Sequence, residues 1–507
     1  MGPDRRHQLR LLVPLAVAAF AIRAIPVMVG GGLLGLHGYD DGVYFAGAAA
    51  LVHGAVPYRD FLLLHPPGMI LGLSPFAIVG TVIGDPAAFA VARVSIMGLG
   101  AVNAVLVALV AGRYGRLAGL TAGTLYAVWS AASNVERTTD LHGPQNTLLL
   151  LGLLALARSG RIGPRRAAVT GVVLGLAMTV QLWQAVSVAV VLWWVFVRGR
   201  GDGWNRMRPA AAYVAGAAVA FGLVCLPFLA AAPEAMIRYV VVDQVGRPNV
   251  GVDTIERLRV LEGFPQLAQL PPLLRQLVPD PIVLLVAATG VALVVLTARF
   301  CPWTRLWAVL AFAQSAVVLM TPSFFNDYPS FAAPAATLVI GTAVAGAVSR
   351  LARNGLRRAH GRAAIGFLFA PLAAISLFRL EGQTLPLADL ESDMSRARCV
   401  SADSPALLVL TSAMRHNLEA GCPVVLDPTG ISYDTDRGRR LPQSTGNWRL
   451  NAPGYQAAML EWYTSGDAAL FARPKSDGLT AATQTAIERR LPVERRRGIV
   501  TVRLAVR

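Results

Sequence analysis

Two adjacent aspartates, Asp40 and Asp41, follow the first long apolar run of the chain, with Gly38 and Gly42 on either side to let the backbone turn. Neighbouring carboxylates can supply one proton acceptor and one orienting or metal-binding group, because their mutual repulsion raises one of the two pKa values. Charged groups beside hydrocarbon are costly and are seldom kept there without a use. Close behind come Tyr44, the pair Arg59 and Asp60, and His65-Pro66-Pro67. More polar groups stand in later segments between apolar runs: Glu136, Arg137, Asp140 and His142, then Arg247, then Asn326, Asp327 and Tyr328. Carboxylates, a histidine and arginines converging on one face could bind a sugar together with an anionic phosphate, since the planar guanidinium donates two parallel hydrogen bonds. Arg257 and Arg259 lie in an amphipathic stretch, Ile255–Phe264, and read as solvated charges or members of an ion pair within the loop rather than as substrate ligands.

The elements that must position these groups are membrane helices. The chain has 507 residues, 55% of them hydrophobic and only 15% charged, far from the balance of an average soluble domain. Apolar runs of about twenty residues, each enough to cross about 30 Å of hydrocarbon, recur from Leu11 to Leu377. The first run lacks a small-residue cleavage site and reads as a retained helix rather than a signal peptide. The formal charge of +17 does not indicate a nucleic-acid partner. Apart from Lys475 the basic residues are arginines, many in short loops between apolar runs, which is a topological pattern. Arg in place of Lys, with abundant Ala, Gly and Val, suggests a GC-rich genome such as an actinobacterium's.

Arginine placement orients the crossings. Arg5, Arg6 and Arg10 set the N-terminus in the cytoplasm, so the first helix delivers Asp40 and Asp41 to the outer side. The apolar piece from Pro66 to Gly84 is expected not to cross: a crossing there would invert every later basic loop, and Pro66, Pro67 and Pro75 suit an interfacial or re-entrant helix. Eleven crossings then put six basic loops on the side of the N-terminus. Residues 379–507 are not membrane-like. Ala406–Leu410 and Pro423–Asp427 read as buried strands around a helical Ala413–Ala420, in a small extracytoplasmic α/β domain, with turn chemistry at Asp427–Gly430. Of the four cysteines, Cys225 and Cys301 read as free thiols, while Cys399 and Cys422 could form a disulfide if their segment is outside the cytoplasm.

There is no Walker-type loop, no GxGxxG after a strand, no HExxH and no CxxC. At its outer-loop residues the chain resembles the GT-C superfamily, multi-spanning glycosyltransferases that use lipid-phosphate-linked sugars. An acidic pair in the first outer loop is the hallmark of that superfamily. The resemblance is nearest to the protein O-mannosyltransferase and lipid A aminoarabinose transferase branch, and to mycobacterial arabinosyltransferases. Asp40-Asp41-Gly42-Val43-Tyr44 occupies the frame of a DExRY-like motif, and His65-Pro66-Pro67 stands where the mannosyltransferases carry HPP before a short juxtamembrane helix. Val43 replaces the motif's arginine and Leu64-His65 replaces a Glu-Lys pair, so phosphate contacts must come from elsewhere, with Arg59, Arg137 and Arg247 as candidates.

The resemblance implies an all-α polytopic membrane domain over residues 1–378 and an extracytoplasmic α/β domain over 379–507, in the plasma membrane. It also implies transfer of a sugar from a polyprenyl-phosphate donor to a glycan, lipid or protein acceptor at the outer face, with inversion. Asp40 would be the base and Asp41 its orienting partner, both catalytic. Tyr44, Arg59, Asp60, His65, Glu136, Arg137, Asp140, His142, Arg247, Asn326, Asp327 and Tyr328 are the candidate substrate-binding residues. No cofactor is expected of this branch, although Asp40, Asp41 and Glu136 or Asp140 could ligate a divalent cation. The rival is a polytopic transporter or flippase of lipid-linked sugars. Such proteins tend to show repeated halves and broken helices at mid-membrane sites, and no internal duplication is visible here.

Overall fold

The computed structural model describes residues 3–156, 162–198, 204–248, 252–264, 279–300, 302–353, 369–435, 448–473 and 478–506. Cys301 lies outside the described residues. Helices stand at each apolar run: α1 Pro3–Val29, α2 Tyr39–Val52, α3 Gly68–Ile83, α4 Asp85–Ala111, α5 Arg116–Val128, α6 His142–Leu156, α7 Pro164–Val180, α8 Gln184–Arg198 and α9 Trp204–Ala231. They continue with α10 Thr254–Leu261, α11 Asp280–Phe300, α12 Pro302–Met320, α13 Ala333–Arg353 and α14 Phe369–Phe378. Among the described residues four segments are by themselves long and apolar enough to cross a membrane: Leu11–Val29, Asp85–Tyr114, Met207–Ala231 and Ala333–Arg350.

One apolar core unites α1, α4, α5, α6, α8 and α13, through residues such as Leu15, Val107, Tyr126, Leu149, Trp194 and Leu338. Outward-facing Val17, Leu223, Val291 and Phe312 stay exposed, as expected of side chains whose solvent is lipid.

Both ends of helix α3 lie at the same end of the molecule. At its start, a Cβ on Gly68 would sit 2.4 Å from Thr179 Oγ1 at the end of α7. At its other end, Arg415 of the C-terminal region donates to Gly80 O and, at 2.7 Å, to Asp85. Thr179 and Arg415 belong to the same end of the molecule, where Val180 shares a core with Val400 and Leu408. With 16 residues at about 1.5 Å each, α3 is also shorter than a hydrocarbon core. Its Ile78, Val79, Val82 and Ile83 are exposed.

The C-terminal region contains α15 Leu387–Met394, α16 Pro405–Leu410, α17 Ala413–Glu419, α18 Pro428–Thr435, α19 Pro453–Thr464 and α20 Ala481–Arg490. They surround a four-stranded sheet of order β1-β2-β4-β3. Its strands are β1 Val400–Ala402, β2 Ala468–Phe471, β3 Val493–Arg497 and β4 Val500–Leu504, with β1 and β2 parallel and the rest antiparallel. Cys399 and Cys422 form a disulfide, and Cys225 is a buried free thiol. Two expected strands are not strands. Ala406–Leu410 is helical and Pro423–Asp427 is irregular. An apolar run buried on all sides carries no period by which to tell helix from strand, and Pro405 at the first turn favours the helix. The region also shares its core with the juxtamembrane helices: Leu407, Leu410 and Leu426 pack in one cluster with Phe45, Ala46 and Ile70. A Cβ on Gly42 would meet Ala406 N at 2.1 Å, so this close approach requires glycine.

Candidate active site

The two adjacent aspartates occupy the first turn of α2, where unpaired backbone N–H groups favour negative charge. They then diverge. Asp41 is 1% exposed. It accepts hydrogen bonds from Arg93 Nε at 3.0 Å, from Thr139 N at 2.8 Å and from Thr139 Oγ1 at 2.9 Å, and pairs with the Arg93 guanidinium a second time through Nη2. Burial pushes its pKa up, but the Arg93 charge and these hydrogen bonds outweigh it and hold the carboxyl below the usual range. Arg93 lies in α4 and also donates to Gly35 O at 3.0 Å, with its guanidinium 4.0 Å from the Phe89 ring centroid. Asp41 is therefore the clasp that joins α2, α4, the segment before α2 and the segment before α6.

Asp40 has no hydrogen-bond or ion partner among the described residues. Its side chain is exposed and faces Asp140, Asp427, Asp327 and Arg247, the situation of a side chain lining a polar cavity. Burial, then Asp140, Asp427 and Asp327, push its carboxyl up to about 8 against the opposing charge of Arg247. One of two neighbouring aspartates is thus neutralised and fixed while the other is left open and basic.

Around Asp40 gather side chains from far apart in the sequence. Tyr44 follows one turn along α2, its ring 6.1 Å from that of His65. His65 is held through its carbonyl by the Tyr58 hydroxyl at 2.8 Å. Burial, Arg247 and His142 lower the His65 pKa to about 3, so it is neutral and offers a hydrogen bond rather than a charge. Asp140 and His142 are hydrogen-bonded to each other through Nδ1, and the buried His142 Nε2 has no partner. Burial opposes protonation of His142, but Asp140, Asp327 and Asp40 raise its pKa overall. Arg247 donates to the Tyr328 hydroxyl at 2.9 Å and lies 4.7 Å from the Tyr433 ring centroid, and its buried Nε has no partner. Asp327 faces Asp140 and His142. Asn326 is half-buried beside it with an unpartnered Oδ1.

Four expected residues stand elsewhere. Arg59 and Asp60 pair with each other at 2.8 Å, the Arg59 side chain 54% exposed, because the tight loop around them turns both to solvent. Glu136 is fully buried and accepts from Arg23, from Asn103 at 2.6 Å and from the Tyr126 hydroxyl at 2.7 Å. Arg137 donates to Arg379 O at 2.8 Å and to Ser376 O. Both residues brace the loop that carries Asp140 and His142. Positive charge facing Asp40 therefore comes from Arg247.

Sequence reasoning missed Arg23, Arg93, Asp427 and Tyr433. A lone arginine inside an apolar helix is a signal for a buried carboxylate partner, and it was available for the first two. Nothing local marks Asp427 or Tyr433. Of the residues named as cation ligands, Asp41 and Glu136 are spent on arginines. Among the described residues no three His, Cys, Asp or Glu groups are arranged to hold a metal ion.

The helical arrangement has counterparts among known structures. The Archaeoglobus fulgidus oligosaccharyltransferase tethered with an acceptor peptide matches 91% of this chain and 68% of its own, with a TM-score of 0.59 at 12% identity. ArnT from Cupriavidus metallidurans, bound to undecaprenyl phosphate, matches 97% of this chain and 98% of its own, with a TM-score of 0.54 at 13% identity. The fold is that of the GT-C glycosyltransferases. The mycobacterial arabinofuranosyltransferase AftD has it too, with a TM-score of 0.52 at 15% identity over 97% of this chain, which spans 40% of that protein. No family model and no curated protein sequence matches the chain.

Proposed function

We propose that this GT-C-fold protein is a plasma-membrane glycosyltransferase that moves a sugar from a polyprenyl-phosphate donor onto a cell-envelope glycan, lipid or protein at the outer face. The observation that carries the reading is the separation of the two aspartates into one clasped by Arg93 and one left open among polar side chains. Eleven crossings with the N-terminus inside put Asp40, Asp140, Arg247, Asp327 and the C-terminal region in one compartment.

In the proposed reaction Asp40 takes the proton from the acceptor hydroxyl as that oxygen attacks the anomeric carbon in line with the departing phosphate. A carboxyl poised near the working pH is an effective general base. The phosphate leaves as a stable anion, so one dominant carboxylate suffices, unlike glycoside hydrolysis with its acid and base. A single displacement inverts the anomeric centre. Arg247, with an unused buried Nε, supplies a donor and charge for the leaving phosphate, and His142, whose pKa Asp140 raises against burial, adds a donor when protonated. Tyr44, Asn326, Asp327 and Tyr328 are in reach to orient sugar hydroxyls.

Purified protein incubated with polyprenyl-phosphate mannose or arabinose and oligosaccharide acceptors tests the reading. Glycosylated product supports it. Lipid movement across vesicles without product would favour a flippase, and saturable glycan binding without either would favour a non-catalytic envelope protein.

A further inference from the structure

The turn at Asp427–Gly430 lies in the C-terminal region, nearly four hundred residues from Asp40 in sequence, yet the fold brings its carboxylate to the cavity. Asp427 begins α18 and caps it in the usual way: its Oδ1 accepts from Gly430 N at 2.7 Å and from Thr429 Oγ1 at 3.1 Å. A helix cap requires one side-chain oxygen and nothing more. Here the same Oδ1 also accepts from the hydroxyl of Tyr39 at 2.8 Å, and the Tyr39 oxygen accepts from Thr429 N at 3.0 Å. Tyr39 is the residue immediately before Asp40, so these bonds fix one carboxylate relative to the other. The second oxygen, Oδ2, has no partner among the described residues although Asp427 is only 9% exposed. A carboxylate oxygen left without a protein donor, on a side chain fixed beside Asp40, has its lone pairs free for a donor that arrives with the substrate. Gly430 makes room for it: a Cβ there would lie 2.3 Å from Oδ2.

We propose that Asp427 binds the acceptor sugar, its Oδ2 accepting a hydrogen bond from an acceptor hydroxyl and so turning the attacking oxygen toward Asp40. This rests on the glycosyltransferase reading above. A carboxylate repels the donor's phosphate, so Asp427 is suited to hydroxyls and not to the lipid carrier's anion. It belongs to the C-terminal region, whose described residues include no helix long and apolar enough to cross a membrane, whereas a lipid-linked donor comes from the bilayer. The groups facing Asp40 are Asp140 from the segment before α6, Asp327 from the segment after α12, Arg247 from the segment after α9, and Asp427. Asp427 is the member of that set contributed by the C-terminal region.

The test uses the full-length protein in detergent, with polyprenyl-phosphate mannose or arabinose as donor and alkyl disaccharides of the same sugars as acceptors. Asp427→Asn keeps Oδ1, and Asp427→Ser keeps a capping oxygen, so both leave α18 its N-terminal cap. Each should raise the KM for acceptor on the order of 10- to 100-fold while the KM for donor stays within about twofold. Tyr39→Phe, which frees the carboxylate without removing it, should raise the acceptor KM by a smaller factor. An unchanged acceptor KM in a folded Asn or Ser variant overturns the assignment and leaves the glycosyltransferase reading standing, as does an equal rise in both KM values. If the Asn variant fails to fold, the Ser variant decides. Absence of product from the wild-type protein with every donor removes the functional reading and this assignment with it.

Discussion

Two groups of carboxylates sit at one end of the helical bundle, and they are built on opposite principles. Glu136 and Asp41 are enclosed and fully used: each meets a guanidinium from an apolar helix, Arg23 or Arg93, and each accepts further hydrogen bonds from a neighbouring element. Asp40 and Asp427 are left short of partners, and His142, Arg247 and Asn326 around them keep unused buried atoms. A buried ion pair with every lone pair satisfied holds helices in register and has nothing left to give a ligand. Unsatisfied groups converging on one space have capacity to spare. The comparison teaches that being acidic, outer and adjacent does not by itself make a residue chemical; what separates Asp41 from Asp40 is the arginine one of them has.

That contrast can be broken at several points. Arg93→Met strands a buried Asp41 and should cost about 3–5 kcal/mol of stability, seen as a large fall in the thermal midpoint in detergent. Adding Asp41→Leu should restore most of it. Failure of the second change to rescue would mean that Asp41 does more than clasp. The pH dependence of kcat/KM sharpens the other half. Asp40 must be unprotonated to act as base, and burial with Asp140, Asp427 and Asp327 pushes its carboxyl up to about 8. The rate should therefore rise as pH increases, about tenfold per unit, and level off above that value. Because the Arg247 charge opposes the rise, Arg247→Gln should move the limb to higher pH. Smallest of all is Arg59→Ala, which removes an exposed partner of Asp60; transfer and thermal midpoint should match wild type, and a loss of donor affinity would return Arg59 to the site.

Much of this architecture was legible in the sequence. Apolar run lengths located the helices, and His65-Pro66-Pro67 marked the start of α3 at Gly68. The site was only half legible. Asp40, Tyr44, His65, Asp140, His142, Arg247 and Asp327 are drawn together, but Glu136, Arg137, Arg59 and Asp60 share their loops and residue types and are used differently. Loop membership gives sidedness; it does not give the direction of a side chain, which depends on whether an arginine such as Arg23 lies opposite. The C-terminal strands were misread because Ala406–Leu410 is apolar throughout and buried on every face. The true strands β3 and β4 run through arginine-rich sequence, Val493–Arg497 and Val500–Leu504, where edge position and charge hide the alternation.

The account rests on Asp40 as the base of a single displacement. Its most direct test is the rate of sugar transfer by Asp40→Asn from a polyprenyl-phosphate sugar, beside wild type, in protein shown by thermal unfolding to be intact. Transfer should fall on the order of 10²- to 10⁴-fold with the thermal midpoint maintained, since Asp40 makes no bond that the fold depends on. Near-wild-type transfer by an intact Asp40→Asn protein would contradict it.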